Sequence, residues 1–97
     1  MKVNLKLMQP LSGLVGAKDL SLEIEGDTLG DLVAQLSREH GPEVAGELLE
    51  QGGGLDLAYA VSVDGQLTRS LTSKLREGAE VLIFASIVGG TGVPQEE

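Results

Sequence analysis

Hydrophobic and polar positions alternate strictly at the start of the chain, with Val3, Leu5 and Leu7 on one side and Lys2, Asn4 and Lys6 on the other. This period of two predicts a half-buried strand over residues 2–8. Pro10-Leu11-Ser12-Gly13 and Gly16 break it into a loop. Leu20, Leu22 and Ile24 then resume the alternation against Ser21, Glu23 and Glu25, so the two segments predict an antiparallel hairpin. At Gly26-Asp27-Thr28 the period switches. Leu29, Leu32, Val33 and Leu36 fall at i, i+3, i+4 and i+7, which predicts a helix over 29–40. Thr28 and Asp31 have capping-box spacing at its start, and Gly41-Pro42 stops it. A second short helix over 43–51 carries Val44, Leu48 and Leu49 on one side and ends at Gly52-Gly53-Gly54.

Leu57, Tyr59, Val61 and Val63 alternate again and predict a third strand. Asp64-Gly65 is a tight-turn dipeptide, from which Gln66-Leu67-Thr68 pairs back. Residues 71–75 read as a turn that sends Leu71 and Leu75 inward, and Glu77-Gly78 as another turn. The last strand, 80–88, is apolar on both faces: Val81, Ile83, Ala85 and Ile87 against Leu82, Phe84 and Val88. Such a strand belongs in the middle of its sheet. The order of elements predicts an α+β protein of β-grasp type, a mixed sheet of four or five strands packed on one main helix. One domain spans 1–90. Residues 91–97 form an extension expected to be flexible or removed.

Composition narrows the chemistry. Of 97 residues, 41% are apolar, and Phe84 and Tyr59 are the only aromatics, so the core is aliphatic. With no cysteine there is no disulfide, thiolate metal site or cysteine nucleophile. His40, the only histidine, falls at the predicted helix end, where a cation complements the dipole. Asp27 and Asp31 are explained by capping, and the triple glycine lacks the lysine of a phosphate loop. An enzyme is the least favoured reading. Fifteen acids against 7 bases give a net charge of −8, which opposes nucleic-acid binding and suits a basic protein partner. The amino-terminal residues show no signal-peptide pattern, and no apolar stretch approaches the ~20 residues of a membrane helix. A cytoplasmic protein is expected.

Gly89-Gly90 follow the last strand without a helix or turn between them. Glycine lacks a Cβ, so such a tail suits a narrow channel and a protein whose working group is its own carboxylate. Three segments, Val61-Ser62-Val63-Asp64-Gly65, Leu75-Arg76-Glu77-Gly78-Ala79-Glu80-Val81-Leu82-Ile83 and Val88-Gly89-Gly90, resemble the ThiS/MoaD family of ubiquitin-like sulfur carriers. The likeness spans nearly the whole chain. The helical segment at 43–51 is more similar to the molybdopterin synthase small subunit than to the shorter thiamin carrier. Two departures stand out: Thr91 to Glu97 follow the diglycine, and Ala85-Ser86 stand near where molybdopterin-type members often have Pro-Pro.

The resemblance implies a carrier acted on by partners, with no cofactor of its own. A ubiquitin-activating-type enzyme would adenylate the Gly90 carboxylate with ATP, and sulfur would convert it to a thiocarboxylate for a sulfur-accepting synthase subunit. A protease cutting after Gly90 would first expose that carboxylate. Gly89, Val88 and Ile87 would thread into each partner. Phe84, Leu82 and Tyr59 are candidates for a docking patch on the open sheet face or equally for the core. A protein modifier joined through Gly90, and a non-catalytic interaction module, are the alternatives. The receiving pathway, molybdopterin, tungsten-pterin or thiamin among others, stays open.

Overall fold

A computed structural model describes residues 1–85. Strand β1 (Lys2–Leu7) buries Val3, Leu5 and Leu7 and leaves the residues between them exposed. It pairs antiparallel with β2 (Asp19–Glu23), Val3 facing Leu22 and Leu5 facing Leu20. The connection is not the plain loop that its proline and glycines predict. It contains a five-residue helix, α1 (Leu11–Val15), which buries Leu11 and ends where Gly16 turns left-handed.

Helix α2 (Leu29–His40) starts and stops where its sequence indicates. Thr28 Oγ1 accepts from the Asp31 N–H at 3.2 Å, and Asp31 Oδ2 accepts from the Thr28 N–H at 3.1 Å. Two of the orphan donors at the helix start are thereby satisfied reciprocally. Leu29, Leu32, Val33 and Leu36 form its buried stripe. Helix α3 (Pro42–Leu48) follows directly, with Pro42 in its first turn and Val44 and Leu48 inward. It is shorter than the 43–51 expected. Leu49 is already extended and bridges Leu55, and the Asp56 N–H takes the Leu48 carbonyl at 2.7 Å.

Strands β3 (Tyr59–Val63) and β4 (Gln66–Thr68) form a hairpin around Asp64-Gly65, whose φ angles of 50° and 89° are those of a type I′ turn. Leu57 has the parity of Tyr59, yet it precedes the strand and is exposed. Leu75 is buried and Leu71 is half-buried, both against the core as anticipated.

Strand β5 (Glu80–Ala85) completes a five-stranded sheet of order β2-β1-β5-β3-β4. It runs parallel to β1 and antiparallel to β3. Its central place is why both of its faces are apolar. The helices cover one face of the sheet, and the core lies between, built from aliphatic side chains and Tyr59. This is the β-grasp arrangement that the order of elements predicts.

Candidate functional site

The site is the strand end from which the carboxyl-terminal segment continues, with the sheet face beside it. The start of β5 is held firmly. Asp64 donates its N–H to the Glu80 carbonyl at 2.8 Å and accepts the Glu80 N–H on Oδ1 at 3.0 Å. Arg76 Nε sits 3.1 Å from Asp64 Oδ2. On the other flank, the Gly78 N–H bonds the Lys2 carbonyl and the Asn4 N–H bonds the Ala79 carbonyl. Arg76 is largely solvated, so its ion pair adds little energy. The shared turn fixes where the strand begins.

Pairing decides the parity that sequence leaves open. Val81 and Ile83 lie opposite Leu5 and Leu7 and face the helices, fully buried. Leu82 and Phe84 point to the open face and are half-buried. Across the sheet, Lys6, Leu82, Ser62 and Leu67 fall in one row, and Phe84 lies beside Ala60 in the next. Leu67 is 74% exposed. The open face therefore carries an apolar patch of Leu82, Phe84, Ala60 and Leu67, bordered by Lys6.

Tyr59 does not belong to this face. It shares the parity of Val61 and Ile83 and is buried under α3, so its assignment to a docking patch is corrected. Its phenol donates to Glu47 Oε2 at 2.5 Å. Burial, and then the bond to a carboxylate, push the phenol well above its ordinary pKa, since ionising it would place two anions together. Tyr59 nevertheless lies opposite Ala85, the last described residue of β5.

Leu67 was not singled out from sequence. A two-residue turn pairs Val63 with Gln66 and thus Leu67 with the outward Ser62, so the signal was present in the hairpin register. Among the described residues, no group of three or more His, Asp or Glu side chains is placed to hold a metal ion. Asp31 is held below the usual carboxyl range by the Thr28 hydroxyl and N–H of its cap. Gly89 and Gly90, with Ile87 and Val88, lie outside the described residues.

A profile of the ThiS family matches residues 5–90, which includes the diglycine. The chain belongs to the ThiS family. Among curated proteins it has no significant match. Solved structures share its fold. SAMP1 from Haloferax volcanii superposes with a TM-score of 0.77 at 24% identity, covering 93% of this chain and all of that one. A putative molybdopterin converting factor subunit 1 from Pyrococcus furiosus gives 0.71 at 24% identity, over 88% of this chain and 97% of that one. The Amycolatopsis orientalis BexX/CysO complex gives 0.73 at 21% identity, over 91% and 99%. At these identities the likeness is one of fold. No helix among the described residues is long and apolar enough to cross a membrane.

Proposed function

We propose that this ThiS-family chain is the precursor of a sulfur carrier whose acting group is the Gly90 carboxylate, exposed by removal of residues 91–97. The observation that carries this reading is the place of β5. It is the central strand of the sheet, anchored on both flanks, and the family match over residues 5–90 includes it and the diglycine.

A carboxylate is anionic and resists attack by nucleophiles. Adenylation overcomes this: a Gly90 oxygen attacks the α-phosphorus of ATP, pyrophosphate leaves, and the acyl carbon gains AMP as a leaving group. Hydrosulfide supplied by a partner then attacks the acyl carbon, AMP leaves with the bonding electron pair, and loss of the S–H proton leaves a thiocarboxylate. A carrier of this kind binds no cofactor itself; ATP and sulfur come from the partners. The activating enzyme and the sulfur-accepting subunit dock on the open face, with Leu82, Phe84 and Leu67 as apolar contacts. Ile87, Val88 and Gly89 enter the partner's channel, where glycine's lack of a side chain matters. The acidic surface favours encounter with a basic rim.

Intact-mass measurement of the protein recovered from its own cells tests the reading. The expected species ends at Gly90 and carries sulfur in place of one oxygen. Only full-length, unmodified chain under sulfur-demanding growth overturns it.

The likeness to SAMP1, whose structure is also described as a small archaeal modifier protein, favours one further reading. In it the activated Gly90 is passed to lysines of target proteins. Isopeptide-linked conjugates on a denaturing gel would single it out.

A further inference from the structure

Towards its amino-terminal end, β3 loses its outer neighbour. β4 pairs Thr68 with Val61 and stops there. Continued by two residues, that register would bring Ser70 opposite Tyr59, but the Ser70 N–H is taken by Thr68 Oγ1 and the chain turns away. The Tyr59 carbonyl is left on a half-bare edge, where an unpaired polar group is costly.

Arg69 fills the vacancy. Its Nη1 donates to the Tyr59 carbonyl at 2.6 Å, and its Nη2 to the carbonyls of Asp56 at 3.1 Å and Leu55 at 3.3 Å. The Tyr59 N–H in turn bonds the Asp56 carbonyl at 3.0 Å. A planar guanidinium with five donors can hold a fan of carbonyls that a single ammonium cannot. Among the described residues, Arg69 forms no ion pair. Its charge is spent on backbone.

Both backbone groups of Tyr59 are thus engaged away from β5. The hydrogen-bonded pair at this end is therefore Ala60 with Phe84, by the alternation of antiparallel ladders. Tyr59 itself lies opposite Ala85, the last described residue.

We infer that Arg69 is a positioning residue: its guanidinium stands in for the missing strand and fixes the root of the carboxyl-terminal segment by clamping β3 at Tyr59. The inference rests on the carrier reading only for its consequence, that a loosened root presents Gly90 poorly.

The test compares the full-length chain with Arg69→Gln and Arg69→Lys by amide hydrogen exchange. In Arg69→Gln, the Tyr59 and Phe84 amides should exchange at least about tenfold faster, as removal of a charge-assisted bond implies. The Leu7 and Ile24 amides, bonded within the β1–β2 half, should keep their rates, and Arg69→Lys should fall between. Unchanged exchange at Tyr59 and Phe84, or equal acceleration of all four amides, overturns the inference; if Arg69→Gln fails to fold, Arg69→Lys decides by the same comparison. With the activating enzyme, Arg69→Gln should raise KM for the carrier several-fold and leave kcat nearly unchanged. Failure of the unaltered protein to be adenylated at all would refute the carrier reading, while the exchange data would still decide the role of Arg69.

Discussion

The Tyr59 phenol and the Glu47 carboxylate meet at 2.5 Å, joining the start of β3 to helix α3. The bond ties down the strand end opposite Ala85 and consumes the polar tip of an otherwise buried ring. Tyr59→Phe keeps the packing and removes the bond, so a modest destabilisation of about 1 kcal/mol is expected in urea unfolding. The pH dependence has a definite sign. A phenol whose pKa is raised by folding contributes stability that is complete below the unfolded value of 10.0 and declines as pH rises above it. The unaltered protein should lose stability above about pH 10 more steeply than Tyr59→Phe does.

The capping box makes the opposite prediction in acid. Folding lowers the Asp31 pKa, so its contribution is present above the unfolded value of 3.8 and fades as pH falls through the folded one. Asp31→Asn should flatten the acid limb of the stability curve between about pH 5 and 2, measured by thermal unfolding, while leaving the limb above about pH 6 parallel to that of the unaltered protein.

Gly26 supports the same cap from outside it. A Cβ there would overlap the Asp31 carboxylate, which must then leave Thr28. Gly26→Ala should cost about 1 kcal/mol, as removal of a cap does. Combined with Asp31→Ala it should cost little more than either alone, a coupling that a double-mutant cycle would read out.

On the open face the expected effects are on binding, not on folding. Leu67 is too exposed to matter for stability, and Leu67→Asp should shift unfolding by less than about 0.5 kcal/mol. Calorimetric titration with the activating enzyme should nonetheless show affinity reduced by roughly tenfold or more, as when an apolar anchor is removed from the centre of an interface. Unaltered affinity would remove Leu67 from the docking patch.

In the core, Leu36 of α2 is fully buried against the sheet. Leu36→Ala should cost about 2–5 kcal/mol in denaturant, enough to unfold a marginal domain of this size.

Helix α2 was readable because all of its signals are local: an i, i+3, i+4, i+7 stripe, a cap four residues wide and a proline beyond the end. Helix α1 was not, since Pro10, Ser12 and Gly13 spell a turn and five residues offer too little period to contradict them. The faces of β5 were illegible for a different reason. A strand buried in mid-sheet is apolar on both sides, and only its register with Leu5 and Leu7 shows that Leu82 and Phe84 look outward. Tyr59 then falls on the helix side because it shares a parity with Val61 and Ile83. Arg69 gave no sign of itself, because its partners are main-chain carbonyls 10 to 14 residues away, which carry no residue type to recognise.

The strand that joins the two halves of the sheet is also the last in chain order among the described residues. Until residues 80–85 are available, the β1–β2 ribbon and the β3–β4 ribbon share no ladder and have no common edge. A ribosome-bound chain lacking β5 would therefore hold no continuous sheet, only two ribbons linked through residues 27–30 and 71–75, each ribbon too small to persist alone. A partner that reads the open sheet face would thus meet it only once β5 is in place.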